Sequence, residues 1–270
     1  MALGYSKILA GPGVVRLEEK EVGKREGILE ETMLQAITFD FWGTLYQDAS
    51  VRDERLHLLE EILARHGQPR PWATLEAAYQ DALSAWIRAW QEEHRSLPAD
   101  HWLQHMLDFL DAALPEGVVA SIQRPFEEIY LRGDQPRPVA GVAEVLPRLA
   151  RRYCLGLISD VGLTPGRILR EILRRDGLLP HFQALTFSDE TGATKPEPEQ
   201  FLRTLDVLDA RPEEAAHVGD LPETDIAGAR AAGMRAILFL GVSQREDGRA
   251  LADATFEEYS ELEAVLERWE

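Results

Sequence analysis

The feature that most constrains this 270-residue chain is a set of five short apolar runs, each followed by a polar residue or a glycine. Runs of about four to six apolar residues are typical of strands that are buried on both faces of a parallel sheet. The runs are Ala36–Phe39, Cys154–Ile158, Ala184–Phe187, Ala215–Val218 and Ala236–Leu240. Helical patterns lie between the later runs, at Gly141–Arg151, Pro165–Arg175, Pro198–Leu208 and Thr224–Ala232. This alternation predicts an α/β fold with a doubly wound, mainly parallel sheet.

The residues that follow these runs are candidates for a functional site. In a doubly wound, Rossmann-like sheet, ligands bind beyond the carboxyl ends of the strands. Residues that directly follow the first four runs are therefore expected to converge at one edge of the sheet. They are Asp40, then Ser159 with Asp160, then Ser188 with Asp189, and Gly219 with Asp220. The sequence thus predicts a site that is rich in carboxylates and hydroxyls.

The segment between the first two runs interrupts the alternation. Residues 52–132 have apolar side chains at spacings of three, four and seven, which predicts several helices. Four of the six tryptophans fall here, and we interpret them as packing residues of a separate small core rather than as a ligand cage: Trp72, Trp86, Trp90 and Trp102. We therefore predict an inserted all-helical cap domain at 48–135 and an α/β core, which would carry the site, at 33–47 plus 136–270. Residues 1–32 are charged and interrupted by glycines, which predicts a flexible tail.

Composition excludes several classes of protein. The formal net charge of −18 would repel nucleic acid and acidic lipid, so neither is an expected partner. Cys154 is the only cysteine, which rules out an intrachain disulfide and a cysteine-based zinc site. No stretch approaches the roughly 20 apolar residues of a membrane span. We expect a cytoplasmic protein, a monomer or a homodimer, that acts on a small molecule.

Four short motifs occur in a fixed order along the chain. They are Phe39-Asp40-Phe41-Trp42-Gly43-Thr44-Leu45, Ile158-Ser159, Lys195-Pro196, and Gly219-Asp220-Leu221-Pro222-Glu223-Thr224-Asp225. Each motif alone is common. Together, with a helical segment after the first, they resemble the motifs of the haloacid dehalogenase superfamily of hydrolases with a helical cap. The resemblance covers the chain from residue 33 to residue 240.

The resemblance implies a Mg²⁺-dependent phosphatase that acts on a small phosphorylated metabolite. Asp40 would attack phosphorus and form an aspartyl-phosphate, and Lys195 would offset charge as the second catalytic residue. The implied magnesium ligands are Asp40, Asp220, Asp225 and the main-chain carbonyl of Trp42. The implied phosphoryl-binding groups are Gly43, Thr44, Ser159 and Lys195. A divalent cation suits this role because a carboxylate and a phosphate otherwise repel each other.

One position departs from the pattern of the family's phosphatases. They usually carry a second aspartate two residues after the nucleophile, as a general acid and base, but this chain has Trp42. Loss of such a group typically costs a factor of roughly 100 to 10,000. A phosphatase would therefore need another acid, such as Asp48, Asp160 or a side chain of the cap, or a substrate with a good leaving group.

Two alternatives remain open. The superfamily's 2-haloacid dehalogenases also lack the second aspartate and often have an aromatic residue there. However, they usually lack acids equivalent to Asp220 and Asp225, whose charge would repel an unneutralised Asp40. The other alternative is a weakly active or inactive protein that binds a metal, a phosphometabolite or a partner.

Overall fold

The computed structural model describes residues 7–9, 14–17, 33–47, 50–133 and 135–269. In this part of the chain eight strands form one sheet. They are β1 (Lys7–Leu9), β2 (Val14–Leu17), β3 (Ala36–Phe39), β4 (Cys154–Ser159), β5 (Ala184–Phe187), β6 (Ala215–Gly219), β7 (Arg235–Phe239) and β8 (Ala254–Phe256). Their order across the sheet is β1-β2-β5-β4-β3-β6-β7-β8. The strands from β3 to β8 are mutually parallel, which confirms the predicted α/β fold.

The central strand β3 explains how the predicted site residues meet. Phe39, its last residue, pairs with Leu157 of β4 on one side and with Val218 of β6 on the other. All four residues of β3 are buried, because helices cover both faces of the sheet. The carboxyl ends of β3, β4 and β6 therefore lie side by side, and the loops that follow them open at the same edge.

Helices cover the two faces of the sheet. They are α5 (Val142–Leu149), α6 (Gly166–Arg175), α7 (Ser188–Thr191), α8 (Pro198–Leu208), α9 (Ala227–Ala231) and α10 (Leu262–Leu266). One hydrophobic cluster joins α5, α6 and α10 to the face that carries Ile37 and Phe39. A second cluster joins α8 and α9 to the opposite face, which carries Ala36 and Ile158. The sheet is thus doubly wound, as the alternating sequence pattern predicted.

Shorter helical turns connect these elements. A π-helical turn lies at Pro222–Ile226, and only Asp220 and Leu221 separate it from β6. Turns of 3₁₀ helix lie at Glu128–Arg132, Leu179–His181, Pro212–Glu214, Glu246–Gly248, Tyr259–Glu261 and Glu267–Trp269.

Four helices between β3 and β4 form what we call the helical insert, residues 52–127. They are α1 (Arg52–Arg65), α2 (Trp72–Gln91), α3 (Ala99–Phe109) and α4 (Glu116–Glu127). Their apolar faces pack around a hydrophobic cluster of their own that includes Leu56, Leu75 and Met106. The apolar spacing at 52–132 thus corresponds to helices in the structure. The division into domains remains a prediction.

Three strands were not among the predicted runs. Strand β8 has only three residues, too few for its apolar pattern to differ from that of a loop. Strands β1 and β2 lie within the predicted flexible tail and pair antiparallel with each other, and β2 also pairs with β5. The rest of that tail lies outside the described residues. Among the residues that the structure describes, no helix is both long enough and apolar enough to cross a membrane.

Candidate active site

Asp40 lies at the centre of the candidate site. It directly follows β3, and its backbone N–H donates to the carbonyl of Val218 in β6 at 2.9 Å. This bond fixes the start of the loop against the neighbouring strand. Asp40 is only 6% exposed, and its Oδ1 accepts a hydrogen bond from Lys195 Nζ at 2.5 Å. A carboxylate and an ammonium group therefore meet at the carboxyl edge of the sheet.

Two further carboxylates join Asp40. Asp220 directly follows β6, and Asp225 lies on the π-helical turn at Pro222–Ile226. Three carboxylate oxygens, one from each side chain, lie within 4.8 Å of one another, and all three residues are buried. The first and fourth sequence motifs are thus brought together, although about 180 residues separate them in the chain.

Asp225 is the most firmly held of the three. Its Oδ2 accepts hydrogen bonds from the backbone amides of Asp220 and Leu221 at 3.1 and 2.9 Å, and its Oδ1 accepts one from Lys195 at 2.6 Å. Burial alone would raise the pKa of Asp225, but Lys195 and the hydrogen bonds bring it below its ordinary value. Asp225 is therefore ionised at neutral pH.

The other two carboxylates are harder to ionise. Burial raises the pKa of Asp40 well above its ordinary value, and the attraction of Lys195 opposes this only in part. Burial and the charge of Asp225 raise the pKa of Asp220 to about 6. Burial would lower the pKa of Lys195, but the nearby carboxylates raise it above its ordinary value, so the ammonium stays charged. One cation faces three acids, and a bound divalent cation would favour their ionised forms.

His217 supports this cluster from within the sheet. Its Nε2 lies 3.3 Å from Asp225 Oδ1, and its Nδ1 lies 2.8 Å from the hydroxyl of Thr38. Burial lowers the pKa of His217, so the ring is neutral. The geometry assigns the proton to Nε2, which donates to the carboxylate, while Nδ1 accepts from Thr38. The sequence predicted only a strand residue here, and a histidine within an apolar run was the signal for this contact.

Two of the smaller predicted site residues, Gly43 and Thr44, lie beside Asp220. Gly43 has a φ of +72°, and a Cβ on it would lie 2.3 Å from Asp220 Oδ2. The hydroxyl of Thr44 lies 3.5 Å from Asp220 Oδ1, at the limit of a hydrogen bond. Ser243, which follows β7, also donates to Asp220 and was not predicted from the sequence. Its position beyond a strand end was the signal that could have identified it.

Ser159 lies at the end of β4, and its hydroxyl donates to the carbonyl of Asp160 at 3.4 Å. The side chain of Asp160 accepts hydrogen bonds from Lys195 N at 3.1 Å and from Trp90 Nε1 at 2.8 Å. Trp90 belongs to the helical insert, so Asp160 joins the insert to the loop that carries Lys195. Burial raises the pKa of Asp160 to about 6.

A cavity of about 560 Å³ opens beside the carboxylates. Core residues that line it include Asp40, Trp42, Asp160, Lys195 and Asp225. Residues of the insert that line it include Arg55, Tyr79, Trp86, Trp90 and Trp102. The described lining includes neither Thr44 nor Ser159.

The tryptophans correct one expectation. Trp102 is buried in the core of the insert, as the packing interpretation predicted, but Trp86, Trp90 and Trp102 all line the cavity as well. Trp72 packs against the same core and is not among the described cavity residues. The sequence could not distinguish the tryptophans that line the cavity from Trp72. The same helical spacing places a side chain either in the core of the insert or at the boundary between the insert and the cavity.

Trp42 forms part of the cavity wall. Its ring centroid is 5.5 Å from that of Tyr130 and 4.8 Å from that of Phe41. Phe41 stacks in turn on Tyr46, at 4.4 Å between ring centroids. The indole at this position is thus held by aromatic packing, and it offers no carboxyl group to the cavity.

Comparison with known proteins agrees with this geometry. A family model described as haloacid dehalogenase-like hydrolase matches residues 34–233. A phosphoserine phosphatase of Thermus thermophilus is 34% identical over 202 residues, which are 74% of this chain and 79% of that protein. A glyceraldehyde 3-phosphate phosphatase of Pyrococcus furiosus is 29% identical over 242 residues, 87% of this chain and 94% of that protein.

Solved structures agree as well. The crystal structure of a 2-haloacid dehalogenase from Pseudomonas syringae has a TM-score of 0.67 and 29% sequence identity, and the match covers 88% of this chain and 100% of that one. The family match spans most of the chain, and the first and fourth motifs meet in one buried site. The chain therefore belongs to the haloacid dehalogenase-like hydrolase family and is an enzyme.

Proposed function

We propose that this enzyme is a magnesium-dependent phosphatase that hydrolyses a small phosphorylated metabolite through an aspartyl-phosphate on Asp40. The observation that carries the proposal is the buried cluster of Asp40, Asp220 and Asp225, with ligand atoms within 4.8 Å of one another. The phosphatase names of the two relatives also support it.

The carboxylate cluster fits a magnesium ion. Its donors are hard oxygen atoms, which Mg²⁺ prefers, and the single ammonium of Lys195 offsets only part of their charge. We propose Asp40, Asp220 and the carbonyl of Trp42 as ligands, with Asp225 holding the metal shell. When bound, the ion would neutralise the cluster and orient the oxygens of the phosphoryl group.

The proposed reaction has two displacements at phosphorus, in which Asp40 and Lys195 have different roles. An oxygen of Asp40 attacks phosphorus, and the bond from phosphorus to the leaving oxygen breaks with its electron pair on that oxygen. Lys195 orients Asp40 through the 2.5 Å hydrogen bond and offsets charge on the transferring group. Water then attacks the phosphorus of the aspartyl-phosphate, which releases inorganic phosphate and restores Asp40.

We propose that Gly43, Thr44 and Ser159 bind the phosphoryl oxygens. Support comes from their positions: Gly43 and Thr44 lie in the loop after β3, and Ser159 is the last residue of the neighbouring strand β4. The hydroxyls of Thr44 and Ser159 point to Asp220 and to the carbonyl of Asp160. Binding through these hydroxyls would therefore require a side-chain rotation.

This enzyme differs from phosphatases with a second aspartate in how the leaving oxygen could receive a proton. Trp42 cannot supply a proton, and Asp48 lies outside the described residues. Asp160 lines the cavity, but with a pKa of about 6 it is mostly ionised at pH 7, and both oxygens accept hydrogen bonds. We propose that Asp160 joins the insert to the core, and that the leaving group departs without a proton from a side chain.

We also propose that the helical insert acts as a cap domain. Residues from α1, α2 and α3 line the same cavity as Asp40 and Lys195. A cap in this position would exclude water during phosphoryl transfer and would contact the organic part of the substrate.

Dehalogenation of a 2-haloacid is a second candidate, which Trp42 and the 2-haloacid dehalogenase from Pseudomonas syringae favour. Halide needs no proton to leave. Against it, Asp220 and Asp225 place extra negative charge beside Asp40, and a dehalogenase would have no metal to offset this charge.

One assay separates these candidates. Phosphate release from 4-nitrophenyl phosphate and chloride release from 2-chloropropionate are each measured with Mg²⁺ and with a chelator. The phosphatase proposal predicts phosphate release that the chelator abolishes. Chloride release that is insensitive to the chelator would establish dehalogenation instead, and no turnover in any reaction would indicate a binding protein.

The role of Asp40 has its own test. Asp40→Asn removes the nucleophile, and we expect it to abolish phosphate release. The matched control is Asp108→Asn, at an exposed position on α3, which should behave like the parent. Full activity in the Asp40→Asn protein would end the nucleophile proposal.

A further inference from the structure

Four aromatic side chains line the cavity beside Asp40 where it meets the helical insert, together with Arg52, Arg55, Gln80 and Leu83. Trp86 and Trp90 stack with their ring centroids 5.1 Å apart and their planes inclined by 20°. Trp102 lies 6.3 Å from Trp86 and 5.7 Å from Tyr79, again between ring centroids. These rings offer a flat aromatic ligand both stacked and edge-on contacts.

Two contacts hold this aromatic group close to the reacting residues. The indole of Trp86 lies so near Gly162 that a Cβ on that glycine would be 3.0 Å from the ring. The indole N–H of Trp90 donates to Asp160, whose other oxygen accepts from the backbone N–H of Lys195. The stacked pair therefore lies beside the loops that carry Asp160 and Lys195, and a ring between the tryptophans and Asp40 would be near the transferred group.

The same wall contains a buried hydrogen-bond donor without a partner. Trp102 is only 4% exposed, and its Nε1 finds no acceptor among the described residues. A buried donor that forms no hydrogen bond is energetically costly, so native proteins usually satisfy it. Arg55, also buried, adds a positive charge to the cavity lining. The Nε1 atom itself has almost no accessible surface, so an acceptor on a bound ligand could pair with it once the Trp102 indole turns toward the cavity.

The substrate must also suit the residue at position 42. Trp42 gives no proton to the leaving oxygen, so turnover depends on a leaving group that is stable as an anion. A phenolic oxygen meets this condition, because the pKa of a phenol is about 10, far below that of an alkyl alcohol. Aromatic walls and a missing proton donor are independent observations, and they favour the same kind of substrate.

We propose that the substrate is a phosphate monoester of an aromatic alcohol, whose ring packs against Trp86, Trp90 and Trp102 and carries a hydrogen-bond acceptor. This inference rests on the phosphatase function proposed above. Asp40 forms a bond to phosphorus, the bond from phosphorus to the phenolic oxygen breaks, and the phenolate takes a proton from water. Water then hydrolyses the aspartyl-phosphate to inorganic phosphate.

Three substrates separate recognition of the ring from reactivity of the leaving group. Phenyl phosphate has a ring and a phenolate leaving group, benzyl phosphate has a ring and an alkoxide leaving group, and butyl phosphate has only the alkoxide. We expect similar KM values for phenyl and benzyl phosphate, a KM about tenfold higher for butyl phosphate, and a higher kcat for phenyl phosphate than for either alkyl ester. Equal KM values for benzyl and butyl phosphate would overturn the inference.

Variants test the walls themselves. Trp86→Ala should lower the ratio of kcat/KM for benzyl over butyl phosphate by about tenfold, because a stacking surface is lost. The control is Trp72→Ala, on the same helix and outside the described cavity lining, which should leave this ratio unchanged. If both variants change the ratio alike, the tryptophans act through packing of the insert, and the inference fails.

Trp102→Phe keeps an aromatic ring but removes the indole N–H, together with part of the packing surface of the indole. Because this loss of packing affects every substrate alike, only the difference between two substrates reports on the N–H. We expect the substitution to raise KM for 4-carboxyphenyl phosphate, which carries an acceptor, more than KM for phenyl phosphate. An equal effect on both would remove Trp102 from the inference. Absence of metal-dependent phosphate release from every ester would contradict the proposed function itself, whereas release without preference for a ring would contradict only the aromatic substrate.

Discussion

Gly43→Ala tests how tightly the site is built around Asp220. The new Cβ would lie 2.3 Å from Asp220 Oδ2 and 2.7 Å from its Cγ, whereas ordinary contacts of this kind are about 3.5 Å or longer. Asp220 would have to move by about 1 Å, away from its contacts with Thr44 and Ser243. A misplacement of about 1 Å in a catalytic site can cost roughly 100-fold in rate.

The same substitution also has a cost in the backbone. Gly43 has a φ of +72°, in the left-handed region, where a residue with a Cβ is less stable by about 1–2 kcal/mol. Gly177 has the same φ of +72°, and nothing lies within 4 Å of the Cβ that alanine would add. Gly177→Ala is therefore a control that has the backbone cost without the contact with Asp220.

The assay compares both variants with the parent. We expect each to lose about 1–2 kcal/mol of unfolding free energy in urea with a chelator present, and Gly43→Ala to lose somewhat more. Only Gly43→Ala should lose Mg²⁺-dependent phosphate release, by roughly 100-fold. The reasoning is refuted if Gly43→Ala keeps the activity of the parent, or if Gly177→Ala loses activity to the same extent.

Three further substitutions test other parts of the site. Lys195→Met leaves Asp40 and Asp225 as buried acids without their cation, so we expect turnover to be lost. The free energy of unfolding in urea should fall by about 3–5 kcal/mol at pH 8 and by less at pH 5, where more carboxyl groups are protonated. Equal losses at both pH values would contradict this reasoning. Burial raises the pKa of Asp160 from 3.8 to about 6, so its ionisation destabilises the native state as pH rises from about 4 to 6. The difference in melting temperature, Asp160→Asn minus parent, should therefore be larger at pH 8 than at pH 5. The opposite trend would show that burial does not dominate the pKa of Asp160. Trp42→Asp supplies the missing carboxyl group. If the aspartate reaches the leaving oxygen, the ratio of kcat for butyl phosphate to kcat for phenyl phosphate should rise by a factor of about 100. An unchanged ratio in a folded variant would mean that proton donation does not limit turnover in the parent.

The sequence predicted which acids lie together at the centre of the candidate site, because the relevant signal is local. An apolar run followed by Asp40 or by Gly219-Asp220 marks a strand end, and parallel strands bring such ends together. The register between β3 and β6 then determines that the two acids meet. Lys195 required the resemblance to a family, because a lysine before a proline has no local signature of its own.

The cavity could not be predicted in the same way. Helical spacing shows that Trp86 and Trp102 lie on apolar faces, but the same spacing holds for Trp72, which is not part of the described cavity wall. Which of these faces meets the core depends on how the insert packs against the loop after β4. That packing involves Gly162 and Asp160, two residues with no signal for it in the sequence.

The most direct test of the central claim is an anomalous diffraction map from a crystal soaked in Mn²⁺, which substitutes for Mg²⁺ at oxygen sites. We predict one strong peak between Asp40 and Asp220, about 2.0–2.2 Å from a carboxylate oxygen of each, with Asp225 in the surrounding shell. A map with no peak among these three carboxylates, or with the ion bound only elsewhere, would contradict the account.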